Sequence, residues 1–350
     1  MTVDVTQRPL MLTPVYLAVW ILLLVVIPGA AAWAGDSATE IRQWFDKMSR
    51  AGQKLSYEGT FMYRRGEQVM TMKIIHVVDE AGERERIISL NGPVREIVRD
   101  RRGIAHINTD NKKSVTVDKR TSTRSIQSKT AEQIEQTEKY YTFSMGGDAR
   151  AANRRTRVIN IIPKDVYRYG YRVSLDYQTG LLLQSDLLNE QGASLEQIIF
   201  ITFDMLDKAR VMALDIPASS EASNASTLTP SAGVDATDVA QVLPGDEGWK
   251  INKMPIGFVL IEHKRRMNKD GAMVDHMVFT DGLASVSVFM EKRAPHDKIP
   301  FAGVSRMGAV NAFAKRVNDH QVTVVGEVPV AAVRLIGESI YYPVLAGTKK

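Results

Sequence analysis

Residues 57–64 alternate in character. Tyr57, Gly59, Phe61 and Tyr63 fall in one phase, and Glu58, Thr60, Met62 and Arg64 in the other. A period of two predicts a strand with one face on an apolar core. Met70, Met72, Ile74, His76 and Val78 repeat the pattern. Shorter runs of the same kind occupy 86–90, 95–99, 104–108 and 114–117. The breaks between them, Glu80-Ala81-Gly82, Asn91-Gly92-Pro93, Arg102-Gly103 and Asp110-Asn111, are turn sequences, so the segment reads as an antiparallel meander. Ahead of it Ile41, Trp44, Phe45 and Met48 recur at helical spacing, with Asp36, Ser37 or Thr39 as the cap. A second helix is predicted over 130–140. Strands then resume at 158–162, 169–177, 181–188 and 195–203.

These later strands share a strongly apolar face: Tyr169, Tyr171, Val173 and Leu175, then Leu181, Leu183 and Leu187, then Leu195, Ile199, Ile201 and Phe203. About ten strands are more than one flat sheet holds comfortably, which predicts a strongly curved sheet or open barrel. The apolar face then lines the concave side, where helices plug it or a ligand occupies it. The candidate acyl-chain contacts are Phe61, Tyr63, Met72, Tyr171, Val173, Leu183 and Ile199.

Residues 216–243 break the pattern. They are rich in Ala, Ser and Thr and contain no Lys, Arg or aromatic residue, too little apolar surface to offset the entropy of ordering. They predict a flexible linker between a first domain over 35–215 and a second over 244–350. In the second, strands at 258–267 and 273–279 flank Asn268-Lys269-Asp270-Gly271, a hairpin signal. A strand over 284–291 follows. A helix is expected over 306–318, with Val310, Phe313, Ala314 and Val317 on one face, and strands over 322–328 and 330–336. The unit reads as a compact α+β domain. With the hairpin centred between Lys269 and Asp270, His263 and His276 face each other across the strands. Two imidazoles are few for a metal, so an ordinary surface or cross-strand pair is expected.

The first 34 residues have another character. Arg8 precedes an uncharged apolar run of 13 residues, Val15 to Ile27, which Pro28-Gly29 ends. Roughly 20 are needed to span a bilayer as a helix. Ala32-Trp33-Ala34 offers small residues where a signal peptidase reads, so residues 1–34 are expected to be a cleaved signal peptide. Cysteine is absent, which removes disulfides, thiolate catalysis and Cys-ligated zinc, and fits a bacterial periplasm better than a eukaryotic secretory route. The net charge is +5, and residues 81–124 alone hold 11 Lys/Arg against 6 Asp/Glu. Export takes weight from nucleic acid as the partner of that basic segment. Anionic lipid head groups, an acidic protein or a merely solvated sheet face remain. No HExxH, GxSxG, SxxK, P-loop or GxGxxG is present, and nothing argues for catalysis, a metal or a cofactor.

Several ordered stretches carry a resemblance. They are Trp44-Phe45 with Met48, Ser56-Tyr57-Glu58-Gly59-Thr60-Phe61, and Pro163-Lys164-Asp165 leading to Tyr167-Arg168-Tyr169-Gly170-Tyr171. Thr179-Gly180-Leu181-Leu182-Leu183, Ser185-Asp186 and Leu195-Glu196-Gln197 follow, then Pro255-Ile256-Gly257-Phe258 and the run from Phe279-Thr280-Asp281-Gly282-Leu283 to Phe289. Together they resemble the RseB/MucB family, periplasmic negative regulators of an envelope-stress sigma factor. The resemblance covers nearly all of the chain beyond residue 34. It implies a first domain like the lipoprotein carriers LolA and LolB, an unclosed antiparallel β-barrel with helices on its concave side, and a smaller C-terminal α+β domain. It implies binding to the periplasmic part of a membrane anti-sigma factor of the RseA or MucA type, which is thereby shielded from proteolysis, and release by acyl lipid or lipopolysaccharide. It implies no catalytic residue and no oligomeric state. A periplasmic lipid or lipoprotein carrier is the alternative that the curved apolar sheet suggests.

Overall fold

A computed structural model describes residues 32–92, 95–100, 103–108, 113–117, 126, 129–214, 248–267, 272–293 and 302–342. The apolar run of the first 31 residues, the 216–243 segment and the Asn268–Gly271 loop lie outside them. Among the described residues no helix is long and apolar enough to cross a membrane.

The first domain is one antiparallel sheet. Its strands are β1 (Tyr57–Arg65), β2 (Gln68–Asp79), β3 (Gly82–Ser89), β4 (Arg95–Asp100), β5 (Gly103–Asn108), β6 (Lys113–Val117), β7 (Tyr141–Ala151), β8 (Arg154–Pro163), β9 (Gly170–Asp176), β10 (Leu182–Leu188) and β11 (Ser194–Met205). Their order is β6-β5-β4-β3-β2-β1-β11-β10-β9-β8-β7, two meanders joined where β1 pairs with β11. The sheet ends on β6 and β7 and does not close: an unclosed barrel. Helix α1 (Ala32–Lys54) starts upstream of the caps expected at Asp36 to Thr39. Its Ile41, Phe45 and Met48 pack on Tyr141, Ile159, Ile161, Val173 and Leu175, so it plugs the β7–β9 part of the concave face. Helix α2 (Ala131–Thr137) adds Ile134 and is closed by a capping box between Thr130 and Gln133. A short α3 (Lys208–Ala213) follows β11.

Strand β7 is absent from the sequence reading because Gly146-Gly147 interrupt its alternation. The register slips there, between Met145 and Asp148, and a Cβ on Gly146 would come within 2.8 Å of Val158. A second slip alters β11. Thr60 pairs with Thr202 but Phe61 with Phe200, which leaves Ile201 bulged out and half exposed. Ile198 and Phe200 therefore face inward with Phe61 and Tyr63, and Ile199 is one place out of phase, opposite Met62 and Gln184.

The second domain has a short pair, β12 (Lys250–Ile251) with β19 (Ile340–Tyr341), and a six-stranded sheet. The latter comprises β13 (Val259–Met267), β14 (Met273–Thr280), β15 (Ser285–Lys292), β16 (Gly303–Met307), β17 (Val310–Val317) and β18 (His320–Gly326), ordered β13-β14-β15-β18-β17-β16. Two elements are exchanged relative to expectation. The helix expected over 306–318 is instead the β16–β17 hairpin, turning at Gly308 (φ +63°), with Asn318 (φ +55°) turning the chain into β18. The strand expected over 330–336 is α4 (Val330–Ser339), entered through Pro329. Ala332, Val333, Ile336 and Gly337 form its buried face, a helical spacing that β-branched residues concealed. They cover Met277, Val286, Val288, Val322 and Val324.

Candidate functional site

The loop from β8 to β9 carries Tyr167, Arg168 and Tyr169, and all three reach the second domain. Arg168 is fully buried. Its Nε donates to Asp281 Oδ2 at 2.5 Å, and its other nitrogens donate to Asp165 and to the Ile256 carbonyl. The guanidinium lies 4.9 Å from the Tyr140 ring centre and 5.1 Å from that of Phe258. Asp281 also accepts from the Tyr141 hydroxyl at 3.0 Å and from the backbone N–H groups of Leu283 and Ala284. Every nitrogen of the guanidinium and both oxygens of Asp281 thus have a partner, the condition under which a buried ion pair is tolerated. Beside it Tyr167 packs on the second domain's core, the Tyr169 hydroxyl accepts from Asn311, and Leu283 enters the first domain's core with Ile41 and Phe45.

Next to this contact lies a cavity of about 270 Å³. Its floor is the concave face: Tyr63 on β1, Tyr171 on β9, Leu182, Ser185 and Leu187 on β10, Glu196, Ile198 and Phe200 on β11. Ile126 and Lys129 close one side, and Leu283 and Glu327 of the second domain form the roof. The wall is mainly apolar with a few polar groups, the usual make-up of a small-ligand site.

Those polar groups are unequal. Glu196 accepts from the Tyr63 hydroxyl at 2.6 Å through one oxygen and from Arg65 Nε at 2.6 Å through the other. Burial and that carboxylate raise the Tyr63 hydroxyl well above its ordinary pKa. Glu327, just after β18, makes no hydrogen bond or ion pair with any described residue. Burial, reinforced by the Glu196 charge and only partly offset by Arg65, pushes its carboxyl up to about 7.

Of the acyl-chain candidates, Tyr63 and Tyr171 line the cavity. Val173 is fully buried beneath α1, and Leu183 is fully buried in a neighbouring cluster that also holds Phe61, with Met72 and Ile199 partly buried against it. Leu283 and Glu327 escaped the sequence reading because they arrive from the second domain, and Glu196 because a bulge sets which face it occupies. The histidines sit differently from the expected pairing. His263 pairs with Met277 and lies 3.5 Å from Asp275, while His276 stacks on Phe289 at 4.2 Å.

Two family models match the chain in order, the MucB/RseB N-terminal domain at residues 40–224 and the MucB/RseB C-terminal domain at 244–341. The sigma factor AlgU regulatory protein MucB of Pseudomonas aeruginosa is 29% identical, covering 91% of this chain and 96% of that one. The sigma-E factor regulatory protein RseB of Escherichia coli K12 is 25% identical over 85% of this chain and 89% of its own. Among solved structures, the MucA/MucB complex of P. aeruginosa superposes with a TM-score of 0.66 at 26% identity, covering 87% of this chain and 99% of that chain. MucB in complex with MucA(peri) gives 0.62 at 27% identity, covering 86% and 98%.

Proposed function

Because the chain belongs to the MucB/RseB family, we propose that it is a periplasmic regulator of an envelope-stress sigma factor. It binds the periplasmic part of a membrane anti-sigma factor of the RseA or MucA type and shields it from regulated proteolysis. It acts by binding and not by catalysis. The observation that carries this reading is the ordered match to both family domains, alongside relatives named as sigma factor regulators and solved with MucA. Residues 1–34 serve as the export signal, and 216–243 join the two domains.

Acyl lipid releases the partner in this reading. The supporting observation is the cavity, whose floor belongs to one domain and whose roof to the other. A chain lying on Leu187 and Phe200 also touches Leu283. Each methylene buried contributes about 0.8 kcal/mol, less the costs of ordering. A ligand straddling the contact has different affinities for different domain placements, which a lipid-driven release requires. The same cavity is what a lipid or lipoprotein carrier would use, but a carrier has no need of the second domain.

The test is protection. The purified protein should slow cleavage of the anti-sigma factor's periplasmic domain by the protease that starts the cascade, and lipid should restore cleavage. Cleavage at the same rate with and without the protein would exclude the regulator and favour the carrier.

A further inference from the structure

Two polar groups facing the interdomain cavity have no partner among the described residues: the Glu327 carboxyl and the Tyr171 hydroxyl. Both side chains are part-buried, with their oxygens open to the cavity, so an occupant able to donate to Glu327 replaces water there with a charge-assisted hydrogen bond, beyond what hydrocarbon burial alone provides. The charges around Glu327 select the sign of that donor. Glu196 on β11 adds negative charge, and Arg65 on β1 is already bonded to Glu196 at 2.6 Å. Tyr63 on β1 donates its hydroxyl hydrogen bond to Glu196, and Tyr171 on β9 is neutral. Lys129, ahead of α2, also lines the cavity but is not among the charges that perturb Glu327. An anionic head group at this end would meet two carboxyl groups with one cation between them. An ammonium group meets a carboxylate that has no other partner.

We propose that this cavity binds an amphiphile with a protonated amine head, its ammonium on Glu327 beside Glu196 and its chain against Leu182, Leu187, Phe200 and Leu283. The proposal rests on the lipid reading above and specifies the head group. It also runs against the protein's overall charge. At +5 the chain attracts anionic amphiphiles non-specifically, so a preference for an amine has to come from a local site. The preference has a pH dependence of known sign. Glu327 is mostly charged above pH 7 and mostly neutral below it, so amine binding weakens on acidification while carboxylate binding does not.

The experiment is calorimetric titration of the intact protein with dodecylamine and with dodecanoate, below their micelle concentrations, at pH 8 and pH 6. The wild type and Glu327→Gln are compared, with near-ultraviolet circular dichroism to confirm folding. The expected result is about tenfold tighter binding of the amine at pH 8, falling to within about threefold at pH 6. Glu327→Gln should bind both amphiphiles with a similar, pH-independent affinity. Equal affinities for the two in the wild type at pH 8, or an amine preference that survives in folded Glu327→Gln, would overturn the head-group assignment while leaving the lipid reading intact. No saturable binding of either amphiphile would overturn both.

Discussion

Glu327 illustrates how one side chain ties stability to pH. Its folded carboxyl titrates near 7, above the ordinary 4.5, so between those values the folded state holds the proton more tightly. Stability therefore falls as pH rises from 4.5 to 7 and is level beyond. Glu327→Gln removes that slope and should stabilise the protein at pH 8 by up to about 3 kcal/mol, with little effect at pH 4. Urea unfolding at the two pH values checks it, and an undiminished slope in the variant would contradict the assignment. Arg168 works in the opposite sense, because its network is complete. Arg168→Ala leaves the buried Asp281 without its counter-charge and should cost about 3–5 kcal/mol. Arg168→Lys keeps the charge but not the planar fork that reaches Asp281, Asp165 and the Ile256 carbonyl, so it should recover only part of the loss. Denaturation midpoints within experimental error of wild type for both variants would mean that the contact is not a rivet. The motif around Arg168 was visible in the sequence, but its partner was not. Asp281 follows a separate strand, and a single sequence carries no signal that joins the two.

At the scale of elements, alternation identified the strands wherever the ladder is regular, as in β2 and β15. It failed where a bulge or a glycine pair shifts the phase, which is why β7 was missed and Ile198, not Ile199, faces the cavity. The exchange of helix and strand in the second domain has a different origin. Asn311-Ala312-Phe313-Ala314 suits a helix by propensity, yet pairing to β16 and β18 on both sides overrides it. Val330, Val333 and Ile336 suit a strand, yet Pro329 and the need to cover the sheet's apolar face favour a helix. That packing is close. A Cβ on Gly337 would lie 2.2 Å from Phe313. Gly337→Ala should therefore destabilise the protein by about 1–3 kcal/mol, and Phe313→Leu in the same chain should return part of it. Purely additive losses in that double-mutant cycle would show that α4 does not press on β17 at this point.

The whole molecule is two cores that share an interface. Each domain has its own cluster of buried side chains, so fragments over 35–215 and 244–350 are each expected to unfold cooperatively. Separation also strips Leu283 from the first domain's core and Asp281 from Arg168, so each fragment should have a lower unfolding midpoint than the intact chain. Equal midpoints in fragment and intact protein would show that the interface contributes nothing. The fold class was legible because it follows from the periodicity of the strands. The cavity was legible only as a curved apolar face, since its roof comes from Leu283 and Glu327 across the interface. That shared cavity is where lipid and partner are coupled in the proposed mechanism, and linkage makes the coupling reciprocal. The most direct test is a titration of the intact protein with the periplasmic domain of an RseA- or MucA-type anti-sigma factor, with and without lipid, and of lipid with and without that domain. The account predicts that each weakens the other by one common factor, about 5–150. Simultaneous binding of both with unchanged affinities would contradict it.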